Sequence, residues 1–231
     1  SNIAWCYEYL SRIAEYEGDY DKVIQYLQKA LIIYQETKEP RYESDVLKSF
    51  GSIYQKLDDI EQAKVFYQKA IDIDESLLDT LSILKSYMNI SSINIAEKKP
   101  NEAMSYLKKA LNFAVIIQDS LSLPRVYQYL GQGWDLKNEL DSAVSYYKKS
   151  IPIFVAQKNY NDVLSVQLGL AKVFHRHEEQ DSALYYAAQA EGQLAKNGGL
   201  EQYEATHELL SKIYASKDDF AKAYQYHQPT E

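Results

Sequence analysis

Between Arg125 and Lys137 the residues Tyr127, Leu130, Gly131 and Trp134 fall at i, i+3, i+4 and i+7, the spacing of one packed helical face. A polar break at Asn138–Asp141 follows, and Ala143, Tyr147 and Ser150 then mark the packed face of a second helix. The second half of this pattern recurs along the chain. It reads GDYDKVIQYLQKA from Gly18, DDIEQAKVFYQKA from Asp58, KKPNEAMSYLKKA from Lys98, NELDSAVSYYKKS from Asn138, EEQDSALYYAAQA from Glu178 and DDFAKAYQYHQ from Asp218. Aligned, these phrases put Val23, Ala63, Ala103, Ala143, Ala183 and Ala223 in one column, each 40 residues from the next, without insertion or deletion. So regular a period predicts a stack of equivalent helical hairpins, each burying its apolar face on its neighbours.

Local signals agree with the period. Asp59 with Gln62 three residues on reads as a capping box, and Pro100 suits a first helical turn. A column of small residues runs through the first helices: Ser11, Gly51, Ser91, Gly131, Ala171 and Ser211. Another runs through the second helices at Ala30, Ala70, Ala110, Ser150 and Ala190. Small side chains at these points let helices approach closely while larger neighbours fill the grooves beside them. Gly198-Gly199 is the only glycine pair and falls at an inter-repeat turn, so no linker interrupts the pattern. One continuous domain over residues 1–231 is expected.

Composition narrows the functional classes. With 46% hydrophobic and 25% charged residues the chain can bury a core. Tyrosines outnumber phenylalanines 22 to 6, which suits helices packed on one side and wet on the other. A net charge of −8 lacks the basic excess of a nucleic-acid footprint. A single cysteine, Cys6, excludes an internal disulfide and a zinc-binding thiolate set. No apolar run approaches the roughly 18–20 residues of a membrane span. No basic-then-apolar leader is visible, and Ser1-Asn2 has the look of a tag scar, so the compartment stays open between bacterial cytoplasm and periplasm.

Leu47, Phe50-Gly51 and Tyr54, followed by Ala63, Tyr67 and Ala70, resemble the signature of the tetratricopeptide repeat, as do Tyr127, Leu130-Gly131, Trp134, Ala143 and Tyr147. The period of 40 exceeds that family's usual 34, and the proline that normally follows the second helix is missing from its column. The resemblance implies an all-α, right-handed α-solenoid of about six helical hairpins, with 11–12 antiparallel helices. Versions with the longer period look most like sensor and scaffold modules of bacterial regulatory proteins.

Catalytic and metal-binding constellations are not evident. Gly131-Gln-Gly133 lies within a helix with no strand before it, so it is no dinucleotide loop. His175 and His177 are two apart and face different ways, unlike the i, i+4 pair of a zinc helix, and read as solvated surface groups. His207 occupies a packing column without a carboxylate or thiol in register, and His227 stands near the end of the pattern. No enzyme, cofactor or metal is expected.

The first helices remain as the functional surface. In the family their ligand-facing positions carry over as Asp45, Lys48, Ser52, Gln55 and Lys56; Lys85, Met88, Ser92, Ile95 and Ala96; Arg125, Gln128, Gln132, Asp135 and Leu136; and Ser165, Leu168, Lys172, His175 and Arg176. Six of these are Lys or Arg and two are Asp, a net of +4 in a chain of −8. A relatively basic groove with apolar patches suits a protein or peptide with acidic side chains. A carboxylate clamp found in some family members has partial counterparts in Lys48, Ser52, Asn89, Arg125 and Tyr129, which suits a free peptide C-terminus. The chain then reads as a peptide-binding module of a larger regulator, with a static scaffold as the alternative. The pattern starts almost at its first core column and stops near Gln228, halfway through a second helix. A piece of a longer protein is expected, able to self-associate through its ends near Trp5 and Tyr224.

Overall fold

A computed structural model of the protein describes residues 2–197 and 199–228, without the side chains at 195–197, 200 and 201. Twelve helices and no strand are present among the described residues, grouped in two compact units, Ser1–Gln118 and Asp119–Glu231. The first unit holds α1 (Asn2–Tyr16), α2 (Tyr20–Glu36), α3 (Pro40–Lys56), α4 (Ile60–Ser76), α5 (Thr80–Ala96) and α6 (Pro100–Ile116). The second holds α7 (Leu123–Leu136), α8 (Leu140–Ala156), α9 (Tyr160–Arg176), α10 (Gln180–Asn197), α11 (Leu200–Ser216) and α12 (Phe220–His227). Consecutive helices pair as hairpins within each unit, as in a tetratricopeptide solenoid. None of the described helices is long and apolar enough to cross a membrane.

The 40-residue period divides in two. Most helices have 17 residues, and a three-residue turn completes each 20. Every described turn uses one residue in the left-handed region: Gly18, Lys38, Asp58, Leu78, Lys98, Gln118, Asn138, Lys158, Glu178 and Asp218. Gly198 falls in the same register but lies outside the described residues. Most of the described turns close their helix with a Schellman pattern, as where the Asp59 amide donates to the Tyr54 carbonyl (2.9 Å) and Asp58 to Gln55 (3.2 Å). The next residue then caps the following helix. Asp19, Asp59, Asp79, Asn159 and Asp219 each accept from the backbone amide three residues on.

The turns carry one testable oddity. Leu78 has φ 54° and is 84% exposed, so it bears left-handed strain without burying its side chain. Leu78→Gly should therefore raise stability by about 0.5–1 kcal/mol in chemical denaturation, after allowing for the looser unfolded chain. A loss of stability would mean that the leucine packs more than its exposure indicates.

One helix starts late. The period places the start of α7 near residue 120, yet it begins at Leu123. Pro124 lacks an amide hydrogen and disfavours helical geometry before it, and the Asp119 side chain takes the amides of Leu121 (3.0 Å) and Ser122 (3.2 Å) instead.

Ring packing explains both the tyrosines and the small-residue column. Tyr26, Phe66, Tyr106, Tyr146, Tyr186 and Tyr226 hold one half-buried column on the second helices, each against a ring of its partner helix. Lys29, Lys69, Lys109 and Lys149 lie 5.0–6.0 Å above these rings. Deeper in, a Cβ on Gly51 would stand 2.7 Å from the Tyr67 ring, and one on Gly131 would stand 2.8 Å from Tyr147. The small residues therefore make room for a side chain of the partner helix, more than for its backbone.

Candidate functional site

The hairpins set the first helices side by side, and ion pairs bridge neighbours within each unit. In the first unit Lys56 reaches Glu15 at 2.5 Å. Lys48 lies 2.8 Å from Asp45 and 3.4 Å from the buried Asp74. Ser52 borders a cavity of about 110 Å³ together with Glu8, Arg12 and Glu15. On α5, Lys85 is exposed, Met88 is buried and Asn89 is half-buried, its carbonyl accepting from Ser92 Oγ at 2.8 Å.

In the second unit Arg125 pairs with Asp162, and Arg176 reaches Asp135 at 2.5 Å. Between them the buried Gln128 donates to Ser165 Oγ at 2.9 Å. Burial pushes the Asp135 carboxyl above its usual range while Arg176 pulls it back. Gln132 is half-buried, and Tyr129, raised by burial, sits close to Arg125 and Asp162. The pairs Glu15–Lys56 and Asp135–Arg176 occupy the same columns three repeats apart, so one bridging geometry is used in both units.

These contacts correct the charge balance drawn from the sequence. Four of the six cations, Lys48, Lys56, Arg125 and Arg176, are ion-paired, three of them by acids that were not counted: Asp74 and Asp162 stand outside the ligand columns, and Glu15 stands in one of them in the first repeat. Lys85 and Lys172 have no ion pair among the described residues. The second member of each carried-over set is also more packed than open, since Met88, Gln128 and Leu168 are buried and Lys48 is mostly covered. Of the clamp residues, Lys48, Ser52 and Asn89 belong to the first unit and Arg125 and Tyr129 to the second.

One open feature gathers several of the predicted residues. A cleft of about 450 Å³ between α9 and α11 is lined by Lys172, His175, Arg176, Ala205, Glu208, Leu209 and Lys212. Lys172 stands on one wall, while Lys212 is held by Glu208 at 2.5 Å on the other. Leu209 and Ala205 supply apolar surface. His175 is fixed through Nδ1 to the Gln180 side chain at 2.8 Å. A cation at this mouth beside apolar surface can take a carboxylate next to a hydrophobic side chain. The α11 residues were not carried forward from the sequence, although Ala205, Glu208 and Lys212 are the columns of Ser165, Leu168 and Lys172 one period on.

The other histidines differ from their sequence reading. His175 and His177 are half-buried and not solvated, and His177 Nε2 is buried without a hydrogen-bond partner among the described residues. His207 does have a carboxylate nearby, Glu191 at 3.8 Å, and its ring packs on Tyr203 and Tyr226. Cys6 is exposed on α1.

Comparison with known proteins agrees with this architecture. Models described as tetratricopeptide repeat match residues 2–76 and 84–114. Curated protein sequences give no match. Among solved structures, a signal-transduction ATPase with a tetratricopeptide repeat sensor from Pyrococcus horikoshii aligns with TM-score 0.79 and 16% identity, over 96% of this chain and 34% of that one. PilW, a type IV pilus biogenesis factor, aligns with TM-score 0.75 and 17% identity, over 98% and 91% of the two chains. Aspartyl phosphate phosphatase F from Bacillus subtilis aligns with TM-score 0.73 and 18% identity, over 96% and 57%. At these identities the likeness is one of fold.

Proposed function

We propose that the chain is a non-enzymatic protein- or peptide-binding repeat domain serving as the sensory or interaction module of a larger bacterial regulator. The observation that carries this reading is the α9–α11 cleft, lined by Lys172 together with Leu209 and Ala205. Its chemistry suits a segment that presents an acidic side chain or a free C-terminal carboxylate next to an apolar residue. Each hairpin packs mainly on its neighbours, so a ligand wedged between two first helices would alter their spacing and pass the change to the hairpins beside them. The Pyrococcus neighbour carries its tetratricopeptide repeats as a sensor, which supports a signalling role. A static scaffold is the second reading, favoured by the likeness to a pilus biogenesis factor over nearly the whole of both chains.

Isothermal titration with a panel of Leu- and Glu-containing peptides, with free and amidated C-termini, tests the cleft. Lys172→Glu should weaken a binding peptide by roughly tenfold or more, with an effect that shrinks at high salt. Amidation should matter only if the terminal carboxylate is the anchor. Equal affinity of wild type and Lys172→Glu for every peptide would remove the cleft as the site.

A further inference from the structure

One column of the first helices runs Ala14, Tyr54, Asn94, Trp134, Phe174 and Tyr214. In three hairpins its ring stacks on the half-buried ring of the second helix: Tyr54 on Phe66 at 5.3 Å, Phe174 on Tyr186 at 5.6 Å and Tyr214 on Tyr226 at 5.6 Å. The third hairpin keeps the receiving ring, Tyr106, but places an amide where its partner belongs. Tyr226 lies between two rings, His207 at 5.1 Å and Tyr214. Tyr106 has the counterpart of the first, Tyr87 at 5.7 Å, and Asn94 in place of the second.

A cleft of about 350 Å³ opens beside that position. Ile90 and Asn94 of α5 are its buried residues, Val65 and Gln68 line it from α4, and Tyr106 and Glu102 line it from α6. An apolar cavity of about 150 Å³ suffices for a benzene ring, so there is room for one here. The cation on its wall, Lys64, is held by Glu97, which leaves an apolar slot and not an anion site. Asn94 is a second, independent sign of a ligand. It is only 3% exposed, and its side chain has no hydrogen-bond partner among the described residues. A buried amide without partners is costly, and this one can both donate and accept.

We propose that the α4–α6 cleft is a docking slot for an aromatic side chain of a partner protein. The side chain is a tyrosine or tryptophan, whose ring packs on Tyr106, Val65 and Ile90 while its hydroxyl or indole N–H meets the Asn94 amide. The stacked rings of the other hairpins show which chemistry completes this position. Val65, Gln68 and Glu102 are exposed at the mouth, so a ring can enter while still attached to its main chain. The slot shares no residue with the α9–α11 cleft and is independent of it.

Titration of the ¹⁵N-labelled protein with N-acetyl-tyrosinamide, N-acetyl-tryptophanamide, N-acetyl-phenylalaninamide and N-acetyl-leucinamide tests this. The tyrosine and tryptophan amides should give saturable shifts at roughly millimolar concentrations, centred on the Asn94 side-chain amide. The phenylalanine amide should bind several-fold more weakly and the leucine amide not at all. Asn94→Ala should reduce the tyrosine and tryptophan amides to the affinity of the phenylalanine amide. Asn94→Tyr copies Tyr54 and Tyr214, so it should raise the melting temperature and abolish binding. Val65→Asp, at a position 45% exposed, should also abolish binding while leaving the melt unchanged. Absence of saturable shifts with every aromatic amide would overturn the proposal. So would equal binding of the leucine amide, or a lower melting temperature for Asn94→Tyr, because the slot would then not be shaped for a ring.

Discussion

Gly131→Ala should destabilise the second unit by about 1–3 kcal/mol, the penalty of overpacking a filled core. The added methyl would stand 2.8 Å from Cγ and Cδ1 of Tyr147, a ring only 2% exposed. The ring cannot move away, because Gly169 of the next hairpin confines it on another side, where a Cβ would lie 2.9 Å from Cζ. Tyr147 is therefore held between two glycines from successive first helices. Other hairpins solve the same packing problem with other sizes: Ser11 stands in the column of Gly131 where Leu27 stands in that of Tyr147, Ser91 goes with Leu107, and Ala171 with Ala187. The double change Gly131→Ser with Tyr147→Leu copies the first and third hairpins and should recover much of the loss. Thermal or urea unfolding reads both variants. A Gly131→Ala protein that melts like wild type would show that the ring is not confined.

This size exchange was visible in the sequence in pieces. The small column and the Tyr67 and Tyr147 positions could be read from the period, but a column alignment does not say which side chain points at which. The three-residue turns were harder to read, because nine of the ten described left-handed positions carry residues other than glycine. Their chemistry varies while their backbone does not, so the usual glycine signal is missing. Stacked rings account for the tyrosines, as their half-wet character suggested.

The candidate site was legible in part. Lys172, His175 and Arg176 do line an open cleft, but the electrostatics were misjudged because most of the pairing acids were not among the positions counted. Asp162 sits in the first turn of α9 and Asp74 on a second helix, and neither belongs to a column that spacing alone would connect to a groove. A ladder of contacts 37 and 41 residues apart, such as Arg125–Asp162 and Asp135–Arg176, is a consequence of helices lying side by side. Once the period is known, those separations can be searched for directly.

Asp74 shows how far one departure from a column can reach. Its counterparts Tyr34, Ala114, Phe154 and Leu194 are apolar and buried, and Asp74 is 1% exposed. Burial raises its pKa, with Ser44 and Lys48 opposing the shift. The folded state therefore holds the proton more tightly than the unfolded chain does. The group's contribution to stability falls as pH rises from about 3.8 through the raised value, and the penalty is fully present above that window. Lys48→Met alone would leave the buried carboxylate without its cation and should cost about 3–5 kcal/mol at neutral pH. Lys48→Met with Asp74→Leu removes both charges, restores the apolar column and should match or exceed wild-type stability, by up to about 4 kcal/mol. That advantage should shrink below pH 3.8, where Asp74 is protonated in both states. Urea unfolding at neutral and acid pH separates the cases, and a double variant as unstable as Lys48→Met would refute the assignment of Asp74 as a burden. The pair also governs how binding data are read. Lys48 lies in a ligand column, so a lost ligand in Lys48→Met could reflect unfolding around Asp74, whereas a loss in the stable double variant would implicate the ammonium group itself.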